Sequence, residues 1–103
     1  MKRDDAGPMI PRAWALHALV VSLSYQVRDE LHGFVRGDLC IRERVTEDLL
    51  DIGHGTLRKR EQLGKLTLTV HRDASGRRWF SLLEIANEMI DGRIARNMGK
   101  DVK

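Results

Sequence analysis

Apolar residues recur along this chain in two rhythms, a helical one and an alternating one, and each predicts an element. From Ala13 to about His32 there is no proline or glycine. Trp14, Ala18, Val21 and Tyr25 recur there at helical spacing, while Leu16, Leu19, Val20, Leu23, Val27 and Leu31 fill an adjoining face. Pro11 stands at the first turn, where a helix tolerates proline. The pattern predicts a helix over 12–32, inside an N-terminal unit of residues 11–35. A helix apolar over so much of its circumference packs on its own domain with one side. Its other side needs a second partner, most often the same helix of another subunit. The expectation is a homodimer through this helix; the competing reading makes 13–27 the buried central helix of a monomer.

Gly33 and Gly37 break the helix, and 33–38 read as a connection. Ile41, Val45, Leu49 and Ile52 then form one stripe of a second helix, with Leu50 beside it. Gly53 and Gly55 end it, and a third helix over 55–63 closes at Gly64, placed as a C′ glycine. Two short helices joined by a glycine turn predict a helix-turn-helix. After Gly64 the period changes to two: Leu66, Leu68 and Val70 alternate with Thr67, Thr69 and His71, a strand pattern. A turn over 72–77 leads to a return strand beginning Arg78, Trp79, Phe80, which makes a β-hairpin with a basic tip. Ser81 and Glu84 are spaced as a capping box, and Leu82, Ile85, Met89 and Ile90 give the last helix a buried side that weakens at Gly92. The expected fold is mainly α with a small β-hairpin wing, a winged helix-turn-helix at 38–92 preceded by the long N-terminal helix. A flexible arm is expected at 1–10 and a frayed tail at 93–103.

A length of 103 residues, with 42% hydrophobic and 32% charged side chains, fits one compact domain with a core. The longest nearly apolar run, Ala13 to Leu23, is shorter than the ~20 residues of a membrane span. The segment MKRDDAGPMIPR has no signal-peptide pattern, and the single cysteine, Cys40, forms no internal disulfide, so a cytoplasmic protein with no membrane partner is expected. Cys40 itself reads as a buried small hydrophobe. The net charge of +3 is unevenly placed. Residues 54–80 carry seven basic side chains, Arg58, Lys59, Arg60, Lys65, Arg72, Arg77 and Arg78, against Glu61 and Asp73. Such a patch is the electrostatic footprint of a polyanion-binding surface.

The segment TLRKREQLGKL, followed at short range by SGRRWFSLLEI, resembles the MerR-like family, including phage and plasmid excisionases. The family's recognition-helix pattern falls on Thr56, Leu57, Arg58, Glu61, Gly64 and Leu66, and its wing pattern on Gly76, Arg77, Arg78, Trp79 and Ser81. The resemblance covers residues 41–90. It departs at the turn, where Ile52-Gly53-His54 replaces the family's usual Gly-Val-Ser, and in a longer wing loop. It implies sequence-specific double-stranded DNA binding by a small transcriptional regulator or excisionase-like factor, with helix 55–63 in the major groove and a basic wing at 71–78. On this reading Arg58 contacts phosphate or base, Thr56 contacts the backbone, and His54 and Lys59 approach base edges. Arg60 faces away from Arg58, two positions along the same helix. Arg72, Arg77 and Arg78 reach phosphates or the minor groove, with Lys65 adding to the field.

Each of these has a plainer reading. Arg58 could pair with Glu61 or Glu47 on the surface, and the wing arginines could be a charged edge that blocks strand pairing. Leu57, Leu63, Leu66 and Ile85 are expected in the core, with at least one of Trp79 and Phe80. Glu43, Glu47, Asp48 and Asp51 read as a solvated face. His17, His32, His54 and His71 stand at no metal-ligand spacing and no catalytic or nucleotide-binding motif occurs, so no catalysis, cofactor, metal or small-molecule ligand is expected. The alternative function comes from the same resemblance. Bacterial chaperone modulators share this fold and bind a protein partner, which here would meet the acidic 43–51 face or the apolar first helix.

Overall fold

A computed structural model describes residues 10–95, so the arm expected at 1–10 and the tail expected at 93–103 lie almost wholly outside the described residues. Four α-helices and a three-stranded antiparallel sheet make up the fold, with about half of the described residues helical. Helix α1 runs Arg12–Tyr25 and continues as a π-helical turn, Gln26–Glu30. Strand β1 (Cys40–Arg42) leads directly into α2 (Glu43–Leu50), and α3 (Thr56–Gln62) follows after a five-residue turn. Strands β2 (His71–Arg72) and β3 (Arg78–Ser81) precede α4 (Leu82–Ile90).

The first helix is part of the domain rather than an appendage. Leu23 and Val27 are fully buried in the same cluster as Ile41, Leu49, Leu57, Phe80, Leu82 and Ile85. α1 lies along α4, and Arg12 donates to Asp91 Oδ1 and Asn87 Oδ1, each at 2.9 Å, pinning the start of one helix to the end of the other. The chain leaves α1 through Gly33, where a Cβ would stand 2.8 Å from Val45 Cγ1 and 3.0 Å from Val27 Cγ1. Only a residue without a side chain lets the backbone pass between those two valines.

The helix expected from Ile41 begins two residues later. Cys40–Arg42 is a strand, paired with Ser81, Phe80 and Trp79 of the central strand β3, so Ile41 enters the core from a sheet. Of the strand expected over Leu66 to His71, only His71 lies in one. β2 holds only His71 and Arg72, paired with Trp79 and Arg78. β3 continues through Phe80 and Ser81, but residues 66–70 do not pair with it. The Thr69 N–H instead donates to the Glu84 carboxylate at 2.9 Å. That is where the expected capping box departs as well: the Ser81 hydroxyl accepts from the Glu84 N–H at 3.2 Å, but Glu84's own carboxylate is taken by Thr69.

Helix α3 ends as its sequence predicts. Gly64 has φ +71°, the Gly64 N–H bonds to the Glu61 carbonyl and the Lys65 N–H to the Arg60 carbonyl, a Schellman closure. Leu63, expected in the core, is 59% exposed at the C-cap of α3. Leu57 and Ile85 are buried as expected and Leu66 is packed against the core. Cys40 is buried, and burial pushes its thiol up from the ordinary value.

Candidate functional site

The beginning of α3 is held by a residue of α2. Glu47, buried, reaches across the turn, and its Oε2 accepts from the Gly55 N–H at 2.8 Å and the Leu57 N–H at 3.2 Å. These are N–H groups that no residue within α3 can satisfy, so one carboxylate caps the helix and fixes its angle to α2. The expected solvated acidic face is thus corrected at two positions. Glu47 is a buried cap and Glu43 a half-buried ion-pair partner, while Asp48 and Asp51 remain exposed.

The tip of the hairpin is ordered by one aspartate. Asp73 Oδ1 accepts from the Ser75 N–H at 2.9 Å and the Arg77 N–H at 3.0 Å, and Oδ2 accepts from the Trp79 indole N–H at 2.9 Å. Gly76, at φ +81°, makes the reversal. The indole bond is the largest influence on Asp73; burial opposes it, the two backbone bonds join it, and the carboxyl is held below its ordinary range. Trp79 itself is covered by the Arg36 guanidinium 4.4 Å from the ring centroid and by the edge of Phe34. Phe80 is fully buried in the core, whereas Trp79, also buried, lies on the opposite face of β3 beneath Arg36 and Phe34.

Between α2, α3 and this tip lies an open groove of about 250 Å³ lined by Arg42, Glu43, Arg44, Arg58, Arg77 and Arg78. Five arginines, from β1, α2, α3, β3 and the hairpin turn, line it together with a single carboxylate, Glu43. Arg58, well exposed, donates to Glu43 Oε1 at 3.3 Å. The surface pairing weighed for Arg58 therefore exists, but with Glu43 rather than Glu61 or Glu47. Arg44 and Arg77 are exposed and form no ion pair among the described residues.

Arg78 is a correction to the expected contact set. Only 7% exposed, it donates through Nε to Glu43 Oε2 at 2.9 Å and through Nη1 to Glu61 Oε1 at 2.8 Å. Burial opposes its charge, and the two carboxylates outweigh that, so its pKa is raised. Its place is the floor of the groove, where it ties β3 to α2 and α3.

The other expected residues do not form one surface. Arg60 and Lys65 line a separate cleft of about 220 Å³ with Leu50, Leu66 and Arg93. His54 is exposed in the turn before α3, with Nε2 2.9 Å from Asp48 Oδ1. Thr56 is the first residue of α3, Lys59 is exposed on it, and Arg72 is exposed on β2. Arg42 and Arg44 are not among the residues expected from the sequence, because 41–52 reads as one helical stripe. Their signal, two arginines flanking a glutamate at the start of an amphipathic helix, lies outside the 54–80 window of excess charge.

Among the described residues, no helix is long and apolar enough to cross a membrane, and no group of three or more His, Cys, Asp or Glu is placed to hold a metal ion. Compared with protein-family models, curated proteins and solved structures, the chain matches none.

Proposed function

We propose that the protein binds double-stranded DNA through a winged helix-turn-helix formed by α2, the 51–55 turn, α3 and the β2–β3 hairpin, acting as a small regulator or excisionase-like factor. One observation carries this reading: the arginine groove joins the start of α2, the outer side of α3 and the hairpin tip, with Arg42, Arg44, Arg58 and Arg77 around a single opening. Guanidinium groups converging from separate elements suit a curved run of phosphates, because each supplies a planar fork of donors. α3 then lies in the major groove, with Lys59, His54 and Thr56 toward base edges and backbone, and Arg72 and Arg77 on the flanking strand. Arg58 exchanges an exposed pairing with Glu43, worth about 0–1 kcal/mol, for a phosphate.

The acidic 43–51 face is a poor candidate for a protein partner, since Glu47 and Glu43 are already engaged within the domain. An acidic protein segment in the arginine groove is the rival that needs an experiment. Fluorescence anisotropy with a labelled random duplex tests it, using poly-glutamate as competitor. The DNA reading expects displacement by unlabelled duplex at concentrations where poly-glutamate of equal charge has little effect. Equal displacement by both would leave only non-specific polyanion attraction and overturn it.

A further inference from the structure

The outward face of α1 carries a pattern that is symmetric about its own midpoint. Trp14, Ala18, Val21 and Tyr25 read large, small, small, large at spacings of four, three and four. Trp14 is 69% and Tyr25 63% exposed, and Val21 and Ala18 are exposed between them. Beside this stripe lies an open groove of about 400 Å³, lined by His17, Val20, Val21, Ser24, Tyr25 and Arg28 of the first helix and its continuation, and by Leu39.

We infer that this face binds a second copy of the chain, with the two α1 helices antiparallel and crossing between Ala18 and Val21. A two-fold interface must be complementary to itself. When one stripe is reversed against another, Trp14 meets the second copy's Tyr25 and Ala18 meets its Val21, so the bulky residues stand outside and the small ones let the helices approach at the crossing. The projecting indole of each copy enters the groove beside the other's Tyr25, where the Arg28 guanidinium can lie over its face. Parallel pairing would instead stack Trp14 on Trp14, set Arg28 against Arg28 and leave both grooves empty.

The area is sufficient. Two exposed aromatics, each able to bury ~150–250 Å², with Ile10 and Val21 beside them, remove on the order of 500 Å² per copy, or about 1,000 Å² in all. That reaches the lower bound of a specific interface. The inference uses no residue of the arginine groove and stands whether or not the protein binds DNA.

Sedimentation equilibrium over a concentration series reaching about 200 µM tests the association, and spin labels test the direction. The expected result is a reversible dimer, weakened tenfold or more by Trp14→Ala or Tyr25→Ala, with the thermal melt of the dilute protein unchanged because both side chains are exposed. For direction, Asp29→Cys in a Cys40→Ala background carries the label. Antiparallel pairing puts the two labels about 30 Å apart along the helices, whereas parallel pairing puts them about 10 Å apart. A wild-type protein that stays monomeric throughout, a Trp14→Ala protein that dimerises as the wild type does, or the short label distance would each overturn the inference.

Discussion

Glu47 spans two elements with one carboxylate oxygen, accepting from the backbone N–H groups of Gly55 and Leu57. Replacing it by alanine leaves a buried N–H at Leu57 without a partner and frees α3 from α2. Glu47→Ala is expected to lose about 1–3 kcal/mol in urea unfolding, and an unchanged midpoint would show that the cap carries nothing. Gly33 is constrained by space rather than by its dihedral angles. A methyl group there meets both Val45 and Val27, so Gly33→Ala is expected to cost about 1–3 kcal/mol in the same measurement, through overpacking. Arg78 belongs with these two as a structural residue. The excess of positive charge in 54–80 made it look like a ligand contact, and nothing in its own segment reveals that Glu43, 35 residues earlier, lies beneath it.

At the scale of elements, periodicity carried most of the information. α1, α3 and α4 were legible because apolar spacing, a C′ glycine and the Ser81 cap are local signals. The sheet was not, because strand β1 exists only through pairing with β3 some 40 residues later, and its three residues match the helical stripe as well as they match a strand. Of the strand expected over Leu66 to His71 only the last residue pairs: the alternation reflects real burial of Leu68, while the Thr69 N–H goes to the Glu84 carboxylate rather than to a strand. The same non-local folding brings Arg42 and Arg44 to the groove. Glu43 sits there between Arg58 and Arg78, and it competes with any anion for Arg58. Glu43→Gln is therefore expected to tighten duplex binding severalfold in anisotropy titrations, with Glu61 still holding Arg78. A fall in affinity with an intact circular-dichroism spectrum would mean that Glu43 positions the arginines rather than restraining them.

Among the described residues, four carboxylates across the fold share one sign of response to acid. Asp38 is held low by Arg36, Asp73 by the Trp79 indole, Glu88 by Arg93 and Asp91 by Arg12. A folded pKa below the unfolded one gives stability that is present above the ordinary carboxylate range and lost as pH falls through the folded value. The melting temperature is expected to drop between about pH 5 and pH 2, and Asp73→Asn to flatten part of that drop. A melting temperature independent of pH in that window would contradict the ion-pair and turn assignments together.

The salt dependence of DNA affinity tests most directly the proposal that the groove between α2, α3 and the hairpin binds the phosphates of a duplex. Each phosphate neutralised contributes about −0.9 to the slope of log affinity against log salt. With Arg42, Arg44, Arg58 and Arg77 engaged, the slope should be about −3.5 or steeper. It should become shallower by about 0.9 in each of Arg44→Ala, Arg58→Ala and Arg77→Ala. A slope near zero, or one that none of the three substitutions changes, would contradict the account.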